Sequence, residues 1–162
     1  METIESMVTT DSKTIPNAHV RDFQRKKLYE AEERCMFWYT DNKISQTETE
    51  NLIGDISTWA DINTPTLYTD SVNTPHGIKQ RLAKQMSYAT PMYVALSSNA
   101  VGSIPYICHE MAHVINYQRG PADHHGPHFA SVYLNLIETF IGKEEREELQ
   151  NSFDNKKVKY SY

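Results

Sequence analysis

The chain has 162 residues, 39% hydrophobic and 23% charged, with a formal net charge of −5; that is enough for one domain with a buried core and too acidic overall to coat nucleic acid. No apolar run approaches the ~20 residues of a membrane helix, the longest clean one being "MYVAL" at 92–96. Two cysteines, Cys35 and Cys108, exclude both a disulfide scaffold and a four-cysteine zinc ribbon, and they fit a reducing, cytoplasmic setting.

The first stretch, "METIESMVTTDSK", is acidic and polar, neither a signal nor a transit peptide. Residues 1–19 lack periodicity and read as a loose tail before a single domain over 20–162. From Arg21 to about Phe37 helix formers dominate, with Leu28, Ala31 and Cys35 at helical spacing. Ser45 and Glu48 form a capping-box pattern, opening a helix that should bury Leu52, Ile53, Ile56 and Trp59. "TPTLYTD" at 64–70 suggests a short strand. "LAKQMSYATPMYVALSS" alternates, with Leu82, Met86 and Tyr88 at even spacing in its first half and Met92, Val94 and Leu96 at even spacing in its second. It reads as a hairpin turning near Ala89 to Pro91.

Gly102 and Ser103 lead into a helix over about 104–117, ended by "RGP" at 119–121. Pro127 suits the first position of a last long helix, which runs to about Ile141 before Gly142 interrupts. "KEEREELQNSF" gives one more short helix, and "KKVKYSY" a basic, strand-like end. The class is α+β, with several helices packed on a small antiparallel sheet. Charge is uneven: residues 41–75 carry six carboxylates and one lysine, while 21–27 and 79–84 are locally basic. Such clusters are ordinarily solvated faces.

Five of the seven histidines fall in "ICHEMAHVINYQRGPADHHGPHF" at 107–129. His109, Glu110 and His113 form H-E-x-x-H. Histidines four apart on a helix stand one turn above each other, so both can reach one ion. Ile104, Ile107, Cys108, Met111 and Ile115 gather on one side of that helix, and the two histidines fall opposite. Glu110 belongs to neither line, which suits a carboxylate acting on an activated water.

Zinc needs a third protein ligand. Asn116 and Arg119 stand where a metzincin would continue its motif, which excludes that class. Glu138 could serve a thermolysin-like plan, but it lies about half a turn from the centre of the stripe Phe129, Val132, Tyr133, Leu136 and Phe140, and should face water. His125, just before the Gly126-Pro127 turn, is the choice. His124 should point away from it if the chain there is extended. His128 falls off the apolar stripe, as a surface residue, a support for a ligand or a substrate contact. His19 and His76 stand alone in polar stretches and read as exposed.

"CHEMAHVIN…HHGPHFASVYLNLIETFIG" resembles the SprT-like zincin group, in which H-E-x-x-H is followed by H-G-x-x-F opening the next helix. It is more similar still to small uncharacterised phage and actinobacterial metallohydrolases. The likeness would span roughly 21–160, with the ligand motifs specific and the rest weak. It implies a minimal zincin-like domain, zinc on His109, His113 and His125, and Glu110 as catalytic acid and base. Two features depart from the pattern. His128 stands where glutamate is frequent, and the cysteine ribbon that some SprT-type proteins use on DNA is absent, which weakens a role on DNA–protein crosslinks.

These readings converge on a zinc-dependent hydrolase, a metallopeptidase with a protein or peptide substrate, in a cytoplasm (the host's if the chain is of phage origin). Zinc on three neutral imidazoles brings the pKa of its water to about 7, and Glu110 handles the proton. Tyr117, Arg119, His128 and Tyr133 compete as oxyanion donors. The strand at Met92 to Leu96 offers an edge for an extended peptide. Nucleic acid is not expected as the primary ligand. The alternative is a catalytically weak, zinc-stabilised binding module, for instance for a nucleic-acid-associated partner; both readings predict zinc, so only turnover separates them.

Overall fold

The computed structural model describes residues 21–39 and 42–161; the tail expected over 1–19, and His19 with it, lie outside the described residues. In chain order come α1 (Arg25–Glu33), a 3₁₀ turn (Met36–Tyr39), α2 (Gln46–Ala60), β1 (Thr66–Tyr68), α3 (His76–Ala83), β2 (Tyr88–Ala89), β3 (Tyr93–Ala95), α4 (Ile104–Arg119), α5 (Pro127–Phe140) and α6 (Lys143–Lys156). The class is α+β, and none of these helices is long and apolar enough to cross a membrane.

α4 packs on α5, and α5 and α1 both pack on α6. Their shared core holds Leu28, Ile107, Met111, Phe129, Tyr133, Leu136 and Phe153, all fully buried. The stripe of α5 falls at spacings of three and four, which is why this helix can meet α4 on one side and α6 on the other. In α4 every residue from Ile107 to Asn116 is buried. The helix is enclosed on all sides rather than along one face, so its histidines and Glu110 are buried as well.

The sheet order is β1-β3-β2. β2 and β3 form the expected antiparallel hairpin, but β1 lies parallel to β3, so the sheet is mixed and not antiparallel. This arrangement also corrects the expected substrate edge. β3 has a strand on each side, and the edges are β1 and β2, of which β2 lines the histidine cleft. Leu82 belongs to α3, and its burial there follows helical packing rather than strand alternation. The segment 143–156 is a helix of 14 residues, not a short one, and the described residues after it, 157–161, form no strand.

The capping box of α2 is present, with Ser45 Oγ accepting from the Glu48 N–H at 3.0 Å and Glu48 Oε1 from the Ser45 N–H at 2.9 Å. Ile53 and Ile56 are buried as expected, whereas Leu52 is half-buried and Trp59 is exposed at one edge, its ring against Phe140.

One glycine sets the start of α4. Gly102 has φ of +82°, the left-handed region that a side chain resists, and an added Cβ would run into the Ile44 carbonyl. Its own carbonyl accepts from the Ile44 N–H at 3.0 Å, tying the start of α2 to the turn before α4. Gly102→Ala should cost about 2 kcal/mol and lower Tm by roughly 4–8 °C. Calorimetry checks it, and an unchanged Tm would mean the turn relaxes freely.

Candidate metal centre

His109 and His113 lie one turn apart on α4, and His125 sits in the turn that delivers the chain into α5. Each offers a ring nitrogen, and these atoms lie within 4.8 Å of one another. The rings are 4%, 9% and 6% exposed respectively, so water reaches them poorly and their polar atoms need partners inside the protein.

Two of the three find a carboxylate. Glu32, on the inward face of α1 and itself buried, lies 2.5 Å from His109 Nδ1. Asp22, just before α1, lies 3.1 Å from His125 Nδ1 and also accepts from the His125 backbone N–H at 3.3 Å. A histidine that gives its Nδ1 proton to a carboxylate presents an unprotonated Nε2, the arrangement that orients imidazole on a metal. The Nε2 atoms of His113 and His125 face each other at 3.2 Å. Ligand nitrogens at 2.0–2.1 Å in a tetrahedron stand about 3.3 Å apart, so this edge already has the right length. Two bare lone pairs at that distance repel, and only a shared proton or a cation relieves them. The donor set fits zinc. His113 differs in its support: Nδ1 has no hydrogen-bond partner, and the ring is held by packing on Phe129 at 4.3 Å and Tyr117 at 6.0 Å.

Electrostatics divide the three. Burial disfavours the charged form of His109, but the Glu32 charge and hydrogen bond, with Glu110 adding to them, outweigh it and raise its pKa. Burial and the neighbouring histidine charges push His113 well down. Burial also lowers His125, only partly offset by Asp22. Asp22 is lowered because its bonds to His125 outweigh the effect of burial. Glu110 is raised to about 7 by burial, with the His109 charge opposing and the Glu32 charge reinforcing.

Two cavities meet at this cluster, of about 370 and 500 Å³, and both are lined by Tyr29, Met86, Ser87, His109 and Glu110. They form the two ends of one cleft along the free edge strand β2. Tyr29 stacks on His109 with ring centroids 5.8 Å apart, and its hydroxyl lies 3.3 Å from His125 Nε2.

The other residues singled out from the sequence fall into place. Glu138 is solvated and paired with Arg146, away from the centre. His128 Nδ1 bonds Asn116 Oδ1 at 2.7 Å, while Asn116 donates to Asp123 at 2.8 Å. Asp123 in turn accepts from the His128 and Phe129 N–H groups that open α5. This network holds α5 on α4 and makes His128 a tie between helices. His124 is not in extended chain, since its φ is +59°, and it lines the cleft without joining the cluster. Arg119 bonds Asp61, and Tyr133 is buried against Phe129 outside the cleft, which leaves Tyr117 at the cleft among the expected oxyanion donors. His76 is exposed at the start of α3.

Sequence reasoning missed Asp22, Glu32 and Tyr29. A signal for Glu32 was present: it lies one turn after the core residue Leu28 and beside Ala31, so it is a charged residue on the buried face. No family model matches the chain, and neither a curated protein nor a solved structure matches it.

His109 is the histidine whose protonated form its surroundings favour, so it is the one that competes with a metal as the solution is acidified. Below the raised His109 pKa, affinity should fall about tenfold per pH unit, with about one proton released per ion. It steepens only in more acid solution, where His113 and His125 also protonate. Titration calorimetry in buffers of different ionisation heat reads the proton count. His125→Ala should abolish tight binding. Glu32→Gln and Asp22→Asn should each weaken it about 10- to 100-fold. Glu138→Ala should leave it unchanged, and loss of metal in that variant would contradict the ligand set.

Proposed function

We propose that this protein is a zinc-dependent hydrolase, a metallopeptidase of zincin-like plan, with zinc held by His109, His113 and His125. The observation that carries the reading is the meeting, in one cleft, of a carboxylate-supported triple-imidazole donor set and a buried carboxyl group with a pKa of about 7. When bound, zinc supplies a Lewis acid that makes water ionisable near neutral pH and polarises a carbonyl.

The chain's own residues do the rest. Glu110 takes a proton from the attacking water and returns it to the departing amine. A base with a pKa near the working pH does both steps well. A metal cation would pull Glu110 somewhat below 7, towards its ionised, proton-accepting form. Tyr29 brings a hydroxyl beside His125 Nε2; once that nitrogen's lone pair is engaged, the hydroxyl is free to donate to the substrate carbonyl oxygen as charge develops on it. Burial and the nearby Glu110 and Glu32 charges raise the Tyr29 pKa, so it stays a donor. β2, the edge strand at the cleft, can hold an extended peptide by backbone hydrogen bonds.

Glu110→Gln should keep zinc and lose about 10²- to 10⁴-fold in kcat. Tyr29→Phe should lose about 10²-fold in kcat with KM little changed. For the wild type, kcat/KM should fall as the solution is acidified through Glu110 titration, with an acid midpoint at or below about 7. Zinc-loaded protein that cleaves no unfolded protein, peptide or ester would defeat the hydrolase reading and leave a zinc-stabilised binding module.

A further inference from the structure

We infer that the cleft selects a carboxylate on its substrate, held by Arg25 and Arg81 at the end bounded by β2 and the start of α1. This rests on the peptidase reading and adds the substrate's charge to it. The 500 Å³ end of the cleft is lined by both arginines. Arg81 is placed by its neighbours: its guanidinium carbon lies 3.6 Å from the centroid of the Tyr88 ring. Tyr88 is itself fixed by a 3.1 Å hydroxyl contact with Tyr93. Stacking occupies the flat face of a guanidinium and leaves its N–H edges for a planar acceptor, which a carboxylate fits bidentately.

Neither cation has a close carboxylate partner among the described residues. No carboxylate among the described residues forms an ion pair with Arg81. Arg25 has only a long 3.9 Å contact with Asp22, and Asp22 is committed to His125 by two hydrogen bonds. The acids facing this end are Asp22 and the buried Glu110. The opposite end has no arginine or lysine in its lining; it presents Glu32, Glu33 and the paired rings of Trp38 and Tyr106, 4.7 Å apart. The cleft is therefore polarised along its length. An extended peptide lying on β2 meets positive charge on one side of Glu110 and an acidic, aromatic wall on the other. A carboxylate is favoured on the first side and repelled on the second. It can come from an acidic side chain or from a free peptide carboxyl terminus.

The test uses fluorescein-labelled extended peptides, identical except for one Glu or Gln at successive positions, each with a free or an amidated carboxyl terminus. Binding to the Glu110→Gln protein is read by anisotropy, so the probe stays intact. Wild-type KM on the same peptides guards against a folding defect in that variant. We expect about 5- to 10-fold tighter binding for a carboxylate at the arginine end, weakening with salt. Arg81→Gln and Arg25→Gln should each reduce the preference and together erase it, while Arg34→Ala, at the far end of α1, should not change it. Preference for internal Glu assigns the carboxylate to a side chain; preference only for the free acid assigns it to the terminus. Equal binding of Glu and Gln peptides, or a preference that survives the double variant, overturns the inference while leaving the peptidase reading intact. If no peptide binds and the wild type cleaves none, both fall.

Discussion

A carboxylate shut away from water has to be met by hydrogen-bond donors or it will take up a proton. Glu32 is such a group, carried into the interior by α1 on the same face as Leu28, and His109 meets it. That contact fixes which ring nitrogen of His109 faces the cleft and makes His109 the most basic of the three histidines. It also seats α1 against α4. Asp22 repeats the device with His125 at the mouth of the same helix. The histidine cluster thus depends on a helix that contributes no histidine to it. The two carboxylates bring negative charge to the edge of a site that is otherwise a box of aromatic rings. A dication there would offset that charge and compete with the proton that His109 favours, so metal binding and electrostatic relief would be the same event.

The surroundings of Glu110 follow from the enclosure of α4. A helix packed on one side only would leave this residue in water and give it an ordinary carboxylate pKa. Covering from α1 and the β2 edge removes water, and burial raises the group to about 7. The same covering shapes the cleft, because β2 is short, unpaired on its outer side and close to both Glu110 and Tyr29.

Local signals in the chain announced α4, α5 and the α2 capping box, since each combines an apolar stripe with a terminus signal: Pro127 for α5, Ser45 with Glu48 for α2, and Gly120-Pro121 after α4. His125 was legible because its position just before a fixed turn left few directions for the ring. What escaped depends on distant parts of the chain. α3 buries only Leu82, too little for a periodic pattern, and its residues pass for strand alternation. The parallel pairing of β1 with β3 joins three-residue strands separated by helix α3 and strand β2, and nothing local encodes it. Asp22 shows no signal at all, because its role exists only once the loop of His125 has arrived. His124 was read as extended chain; the left-handed turn there is set by the return of the loop to α5.

Gln24 is the joint at which all of this is tied. Its buried side chain donates to the His125 carbonyl at 2.8 Å and to the Lys159 carbonyl at 2.9 Å, and accepts from the Lys159 N–H at 2.8 Å. Contacts so far apart in sequence make assembly late and cooperative. During synthesis the loop of His125 is not yet clamped when that residue leaves the ribosome, since Lys159 is still to be made. The nascent chain would then be a poor trap for metal, and the cluster would close only once Lys159 has folded back onto Gln24.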